Sequence, residues 1–166
     1  MLVRKYLNSD FQAIADIYNQ AIVKGGITFD NRCFTSEDIE SIVAKFNERQ
    51  TMLVATQDNL VVGWGIIKQY SDRPGYDVCC ETSIYLSFDH TAKGYGSILQ
   101  TALLEKVAEF GYHHVVVKIV ASNQGSIQFH QRFGFEMVGI QKEIGFMGGV
   151  WYDVAIMQLI MPYSTS

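Results

Sequence analysis

The sequence predicts an α/β (α+β) fold in which helices flank a mixed central sheet. Strand-like and helix-like segments alternate along the 166 residues, and the middle of the chain runs from a strand through a glycine-rich turn into a helix and a further strand. A hydrophobic content of 48% is enough for a substantial core, and the length fits one domain over residues 1–166. Such elements around one core make a layered domain.

The first half of the chain shows both hydrophobic periodicities. Apolar residues at helical spacing predict a helix over 10–23, which Gly25 and Gly26 stop, and a second helix that follows the capping sequence 35–38. Alternating or β-branched runs predict strands over 3–7, 51–56 and 60–70. The turn 57–59 tolerates hairpin geometry, so the last two strands are expected to pair.

The second half continues with a loop and the central unit. Pro74 and Gly75 mark a loop over 70–76. Strands are predicted over 78–86, 114–120, 136–140 and 151–161. Helices are predicted over 97–110 and 124–133, and Gly134 ends the second.

Composition argues against several classes of partner. The formal net charge is −4 and no run of Lys or Arg would follow a nucleic-acid backbone. No apolar run reaches the length of a membrane span, and the N-terminus lacks a signal-peptide apolar region, so a soluble cytoplasmic protein is expected.

Neither cysteine nor histidine spacing indicates a metal site. Cys33, Cys79 and Cys80 are too few and too badly spaced for a disulfide framework or a four-ligand zinc site, so buried thiols are expected. His113 and His114 are neighbours on a predicted strand and point to opposite faces, which prevents easy chelation of one ion.

The stretch from Glu81 to Ser97 carries the strongest chemical signal. Gly94 and Gly96 lack side chains, so the backbone can bend tightly and bring its N–H groups close to an anion. The helix behind them adds free N–H groups and the positive end of its dipole, which predicts a diphosphate site beside a candidate proton acceptor. The alternative is that the glycines only form a tight connection between strand and helix.

Two motifs resemble those of the GNAT acetyltransferases. The turn 91–96 resembles the (Gln/Arg)-x-x-Gly-x-(Gly/Ala) turn that grips the coenzyme A diphosphate in that superfamily. The following motif is similar at Asn123, Ser126, Phe129, His130 and Gly134-Phe135, where the superfamily's helix lines the pantetheine arm. Two patterns in the right order are much stronger than a glycine pattern alone.

Within the superfamily the chain most resembles the phosphinothricin and methionine-sulfoximine N-acetyltransferases, over nearly its whole length. The landmarks that carry this resemblance are 17–19, 28–29, 73–76, 81–85, Asn123, His130, 145–146 and 151–153. The resemblance implies a mixed, splayed sheet with acetyl-CoA in the gap between two strands, and a homodimer formed through the C-terminal strands. No metal cofactor is expected, as the cysteine and histidine spacing indicates. Three positions depart from the pattern: Thr91 replaces Gln or Arg, Gly75 replaces Ala, and Cys79-Cys80 replaces a Thr-Val-like pair.

The resemblance implies a set of coenzyme-contacting residues. They are Ile84, Tyr85, Leu86, Thr91, Ala92, Lys93, Gly94, Tyr95, Gly96, Ser97, Asn123, Ser126 and His130. Asn123 has an alternative role as a helix N-cap before Gln124.

Acetyl transfer to an amine requires removal of a proton, since alkyl amines near pH 7 are mostly ammonium. Glu81 is the candidate base, and burial beside its apolar strand neighbours is expected to raise its pKa. An amide left unpaired in residues 84–86 is the expected oxyanion donor. His130 is assigned either as a general acid or as a pantetheine contact, with Tyr85 as an alternative donor; Glu81 has a structural alternative as an ion-pair partner of Arg73 or another base.

The acceptor site is expected around Arg73 and Tyr76, with Glu81, Thr82 and Ser83 as further contacts. A guanidinium can hold the carboxylate of an amino-acid-like acceptor through two parallel hydrogen bonds, which orients its amine. The alternatives are that Arg73 pairs with Asp72 or Asp77, and that Tyr76 and Trp151 are core or interface aromatics.

The sequence thus predicts an acetyl-CoA-dependent N-acetyltransferase acting on the α-amine of a small amino-acid-like acceptor. Two alternatives stay open. One is an acetyltransferase for a polyamine, an aminoglycoside or a protein N-terminus, and the other is a non-catalytic acyl-CoA-binding sensor.

Overall fold

The structure is a computed structural model that describes residues 1–91 and 93–162. Its strands are β1 (Leu2–Lys5), β2 (Thr51–Gln57), β3 (Leu60–Gln69), β4 (Cys79–Leu86), β5 (His114–Val120), β6 (Glu136–Met147) and β7 (Val150–Ile160). Its helices are α1 (Phe11–Lys24), α2 (Ser36–Ala44), α3 (Tyr95–Glu109) and α4 (Gln124–Arg132). The predicted mixture of strands and helices is confirmed.

All strands in the described part of the chain join one mixed sheet in the order β1-β2-β3-β4-β5-β7-β6. The neighbouring strands are antiparallel except for β4 and β5, which are parallel and are connected along the chain by α3. A parallel pair needs a crossover connection, and the helix α3 supplies it.

Two apolar cores cover the two faces of this sheet. On one face, Leu99, Leu103 and Val107 of α3 pack against the central strands and are fully buried. On the other face, α1 and α2 bury Ile14 and Ile39 against β2 and β3. Helices therefore cover both faces of the sheet at β2 and β3.

Local sequence signals explain most of the boundaries. Gly25 ends α1 with a φ of 77°, Thr35 caps α2 by accepting a hydrogen bond from the Asp38 amide, and the hairpin of β2 and β3 turns through Asp58 and Asn59 at positive φ. All three were expected from the residue types.

Two predicted boundaries were wrong in an informative way. The strand expected to stop at Ile140 continues as β6 to Met147, and α3 begins at Tyr95 rather than at Ser97. The β6 register shifts between Gln141 and Gly145, where Asp153 of β7 accepts a hydrogen bond from the Glu143 amide at 2.8 Å. This bulge keeps a charged, exposed segment in the sheet although its sequence lacks strand periodicity.

Candidate active site

The sheet splays between β4 and β5, as the resemblance implied. These strands share only three residue pairs, and the last of them joins Glu81 to Val116. On its other side, β5 stays paired with β7 as far as Val120. Beyond the last register the two strands diverge, and a cavity of about 70 Å³ lies between residues 82–85 and 117–120.

The open edge of β4 presents backbone amides to this gap. The Ser87 amide donates to the Val62 carbonyl of β3 at 2.8 Å, and the Val78 carbonyl accepts from the His114 amide at 3.0 Å. Because backbone polar groups alternate between the two edges of a strand, odd-numbered residues of β4 face β3 and even-numbered ones face β5. The amides of Ile84 and Leu86 therefore point into the gap, and the amide of Tyr85 points to β3.

The glycine-rich turn lies at the wide end of the gap. Gly94 precedes α3 with a φ of 79°, and the earlier start of the helix places Tyr95, Gly96 and Ser97 in its first turn. Their amides have no intrahelical acceptor, as in the first turn of any α-helix. A Cβ on Gly96 would lie 3.3 Å from Leu86 Cδ1 and 3.5 Å from Phe129 Cε2, so a larger residue would fill this space.

A groove of about 540 Å³ connects the turn with the gap. Residues from α1, β4, the glycine-rich turn and α4 line it, among them Leu86, Phe88, Thr91, Gly96, Asn123, Ser126, Phe129 and Arg132. Asn123 caps α4 by accepting a hydrogen bond from the Ser126 amide at 3.3 Å, so it caps the helix and lines the groove at once. A groove with apolar walls and free helix amides at one end fits a nucleotide thioester with a long, mostly neutral arm.

The other residues of the turn lie at the surface. Thr91 is exposed and its hydroxyl donates to the Phe88 carbonyl at 3.2 Å, which orders the turn without a charged side chain. Lys93 is exposed as well. Ala92, a predicted coenzyme contact, lies outside the described residues.

His130 is buried in α4, 3% exposed, with its ring edge-on to Phe129 and Phe135. Its Nδ1 lies 2.8 Å from the Ser126 carbonyl oxygen. Because a carbonyl oxygen only accepts, the proton of the neutral ring lies on Nδ1, and Nε2 carries the lone pair. Burial lowers the pKa of His130, against the opposing effect of the Ser126 hydrogen bond, so the ring favours the neutral form.

Glu81 lies on the sheet face that packs on α1 and α2. The expected burial is only partial, because Cys80, Ile84 and Leu86 point to the opposite face and the Glu81 side chain is 25% exposed. Lys118 Nζ lies 3.7 Å from Glu81 Oε1, so the charged neighbour of this carboxylate is Lys118 on β5 rather than Arg73.

Tyr85 lies on the same face as Glu81, packed between two aromatic rings. Its ring centroid is 4.9 Å from that of Trp64 and 5.1 Å from that of Tyr18. This burial, with a smaller effect of the Asp30 charge, raises the pKa of Tyr85 to about 12, so the phenol stays protonated at physiological pH. Tyr85 borders both the gap and the groove.

A further cavity, of about 700 Å³, opens on the sheet face that carries the Glu81 side chain. Its walls come from the 27–29 segment, Tyr70 and Tyr85, and from β5, β6 and β7. The Phe29 ring packs on the β6 backbone, where a Cβ on Gly145 would lie 2.4 Å from Phe29 Cε1, and its centroid is 5.9 Å from that of Tyr152.

Hydrogen bonds to α1 hold the segment that carries Phe29. The Tyr18 hydroxyl lies 2.6 Å from Thr28 Oγ1 and also donates to an Asp30 carboxylate oxygen. The segment after α1 thus closes over the cavity against the β6–β7 hairpin.

The predicted acceptor contacts are only partly brought together. Thr82 is 3% exposed and borders the gap, where its hydroxyl has no hydrogen-bond partner among residues 1–91 and 93–162. Ser83 borders the gap too. Arg73 and Tyr76 lie on an exposed loop, and neither of them lines any of the cavities described above. Glu81 does not line them either; it reaches them through its neighbours Lys118, which borders the gap and the 700 Å³ cavity, and Thr82, which borders the gap.

The alternative prediction, that Arg73 pairs with a neighbouring aspartate, is wrong for the described part of the chain. Arg73 forms no ion pair there with Asp72 or Asp77; Asp77 instead accepts from Gln69 Nε2 at 3.3 Å. The Tyr76 ring is 48% exposed and packs against Tyr70, with centroids 5.4 Å apart.

Sequence reasoning missed Lys118 altogether. A signal was present, because Lys118 is the charged residue within the otherwise apolar run 115–120 and it shares one strand face with Val116 and Val120. The expectation of three buried thiols was also wrong, since Cys33 is exposed while Cys79 and Cys80 are buried.

Neither a metal site nor a membrane span was found in the described part of the chain. No group of three or more His, Cys, Asp or Glu residues in 1–91 and 93–162 has the arrangement of a metal site. Among those residues no helix has the length and hydropathy needed to cross a membrane.

Comparison with known proteins agrees with this geometry. The family model described as "Acetyltransferase (GNAT) domain" matches residues 3–156. A phosphinothricin N-acetyltransferase of Streptomyces coelicolor is 29% identical over 157 residues, which cover 92% of each chain. An L-methionine sulfoximine/L-methionine sulfone acetyltransferase of Pseudomonas aeruginosa is 31% identical, over 91% of this chain and 89% of the relative.

The solved structures include a GNAT superfamily phosphinothricin acetyltransferase of Sinorhizobium meliloti in complex with acetyl-CoA. It superposes with a TM-score of 0.92 at 26% identity, over 99% of this chain and 90% of that one. The chain belongs to the GNAT acetyltransferase family, and it is an acetyl-CoA-dependent N-acetyltransferase.

Proposed function

We propose that this chain transfers the acetyl group of acetyl-CoA to the α-amine of a small amino-acid-like acceptor, of the phosphinothricin or methionine sulfone type. The observation that carries the proposal is the meeting of two spaces at Tyr85: the groove that suits the coenzyme and the 700 Å³ cavity on the Glu81 face. That volume suits a small acceptor. The relatives named for such acceptors align over more than nine tenths of this chain.

In this proposal the chain holds the coenzyme along β4 and α3. The free amides of Tyr95, Gly96 and Ser97 donate to the diphosphate, and the groove walls contact the pantetheine arm. His130 Nε2 accepts a hydrogen bond from an amide of that arm, because a neutral ring with its proton on Nδ1 can accept there but cannot donate. This assigns His130 as a coenzyme contact rather than as a general acid.

The neutral acceptor nitrogen forms a bond to the acetyl carbon of acetyl-CoA, the carbon–sulfur bond of the thioester breaks, and coenzyme A leaves as the thiol with a proton released by that nitrogen. Glu81 takes the proton of the acceptor ammonium, directly or through a water molecule. The amides of Ile84 and Leu86 donate to the thioester oxygen as it gains negative charge, a contribution of about 3 kcal/mol per donor in comparable sites. Tyr85, protonated and adjacent to the gap, donates to the departing sulfur.

The test is an acceptor screen. The purified chain is incubated with acetyl-CoA, and free thiol release is followed across amino acid analogues, polyamines, aminoglycosides and peptides. We expect the highest kcat/KM for methionine sulfone, methionine sulfoximine or phosphinothricin. A preference for a polyamine, an aminoglycoside or a peptide N-terminus would reject the acceptor class, and a lack of turnover with every amine would favour an acyl-CoA sensor.

We further propose that the protein is a cytoplasmic homodimer that pairs through β6 and β7. The edge strand β6 and its neighbour expose Phe146 and Trp151, each at least 55% accessible and neither a lining residue of the 700 Å³ cavity. Exposed apolar edges of this kind are usually covered by a partner, and a second copy offers the same surface. Light scattering should give a dimer mass, and Trp151→Glu should give a monomer; a monomeric wild type would reject the proposal.

A further inference from the structure

Lys118 is the one Lys, Arg, Asp or Glu among the described residues that line the 700 Å³ cavity. The rest of that wall is aromatic, aliphatic or polar, and its polar members include Thr28, His114, Gln141 and Gln158. A cavity with one formal positive charge favours a ligand that carries an anionic group.

Lys118 also borders the gap between β4 and β5. It lies two residues beyond Val116, the register partner of Glu81, so its backbone is about 6.6 Å further along β5 and its side chain reaches back toward the carboxylate. The ammonium lies 3.7 Å from Glu81 Oε1, next to the carboxylate that the proposed function assigns as the base.

The pair between Lys118 and Glu81 is a loose one. The distance exceeds that of a hydrogen bond, and the two side chains are 49% and 25% exposed. Exchanging such a contact for another ion pair costs little, because exposed pairs contribute little to stability.

Resting on the proposed function, we propose that Lys118 selects the acceptor as a zwitterion. Glu81 and Lys118 present a negative and a positive group side by side, and an α-amino acid presents an ammonium and a carboxylate side by side. When the acceptor binds, its carboxylate pairs with Lys118 and its ammonium pairs with Glu81. These two ion pairs replace the contact between Lys118 and Glu81. Lys118 is thus a specificity residue, and binding of the acceptor's carboxylate frees the base.

Two other cations near the site provide comparisons. Lys68 is opposite Glu81 in the β3–β4 register, is exposed, and forms no ion pair among residues 1–91 and 93–162. Arg73 is exposed on its loop and does not line the 700 Å³ cavity. Lys68→Gln therefore removes the same charge at a similar distance along the sheet without touching this cavity.

The experiment compares L-methionine sulfone with its methyl ester, which keeps the α-amine and lacks the carboxylate. For Lys118→Gln we expect kcat/KM for the free acid to fall about 10- to 100-fold, while the ratio of variant to wild type for the ester stays near one. Lys118→Arg should restore most of the activity on the free acid, and Lys68→Gln should leave both substrates unchanged. Acetyl-CoA affinity and thermal unfolding of each variant show that the fold is intact.

The outcomes separate this inference from the proposed function. Equal losses on acid and ester would overturn the role of Lys118, as would a selective loss in Arg73→Gln with none in Lys118→Gln; in both cases the α-amine acetyltransferase stands. If the wild type acetylates neither methionine sulfone nor any other α-amino acid, the proposed function and this inference fail together.

Discussion

The coenzyme side and the acceptor side of the site are built in different ways. The coenzyme side comes from two short stretches, the glycine-rich turn with the start of α3 and the start of α4, joined by the open edge of β4. The acceptor side brings together residues from the segment after α1, the loop at Tyr70, and β5, β6 and β7. One side is local in sequence, and the other is assembled by the sheet.

This difference determines which of the two ligands can stay the same among relatives of one fold. Backbone amides and a helix N-terminus can bind a diphosphate whatever the side chains are, so the proposed coenzyme site tolerates Thr91 in place of Gln or Arg. A side-chain cavity changes with each substitution, so its ligand differs between relatives of the same fold. In the proposed function, the coenzyme side therefore sets the reaction class and the acceptor side sets the substrate.

The largest effect is expected on the coenzyme side, from Gly96→Phe. The ring would occupy the space between Leu86 and Phe129, where even a Cβ comes within 3.3 Å of a neighbour. Acetyl-CoA affinity, measured by calorimetry, should fall at least about 100-fold, or about 2.7 kcal/mol. Gly75→Phe is the control, because a Cβ there meets nothing within 4 Å; coenzyme binding that survives in Gly96→Phe would place the diphosphate elsewhere.

Between the two sides, Glu81→Gln should reduce turnover by about 10²-fold, because the amide keeps the shape of the side chain and loses the base. Acetyl-CoA affinity should not change, since the Glu81 side chain lies on the sheet face away from α3. Steady-state kinetics and a coenzyme titration measure the two quantities on one variant. An unchanged kcat would move the base to another residue.

The prediction from sequence followed the same division. The turn and the cap at Asn123 were predictable because each depends on a few adjacent residues with one backbone preference, whereas the gap was expected only from the resemblance to the family. The position of Lys118 beside Glu81 was not, since it depends on the register between β4 and β5 and on the point at which they diverge. Arg73 was expected to clamp the acceptor because a guanidinium can hold a carboxylate through two parallel hydrogen bonds. The fold places Arg73 outside the 700 Å³ cavity, and its role stays a prediction.

The acceptor side alone should respond to Gly145→Ala. The new Cβ would clash with the Phe29 ring, which must move because the alternative is to move the β6 backbone. We expect the acceptor KM to rise by up to about tenfold through lost positioning, with acetyl-CoA affinity unchanged. Gly139→Ala, on the same strand with open space at its Cβ, is the matched control, and an equal effect of both substitutions would contradict the role of Phe29.

The smallest effect concerns the pH dependence of stability. Burial lowers the pKa of His130 in the folded chain, whereas in the unfolded chain it takes up a proton near pH 6.5. The unfolded state then binds more protons as pH falls below about 6.5, so the free energy of unfolding should decrease from pH 7 to pH 5. In His130→Gln this decrease, measured by urea denaturation, should be smaller; equal pH dependence would show that His130 is not the group responsible.

A crystal structure of the protein with acetyl-CoA tests the central claim most directly. The account predicts the diphosphate within hydrogen-bond distance of the amides of Tyr95, Gly96 and Ser97. It also predicts the thioester between β4 and β5, on the side from which Glu81 can be reached. A coenzyme bound on another face, or a thioester separated from Glu81 by the sheet, would contradict it.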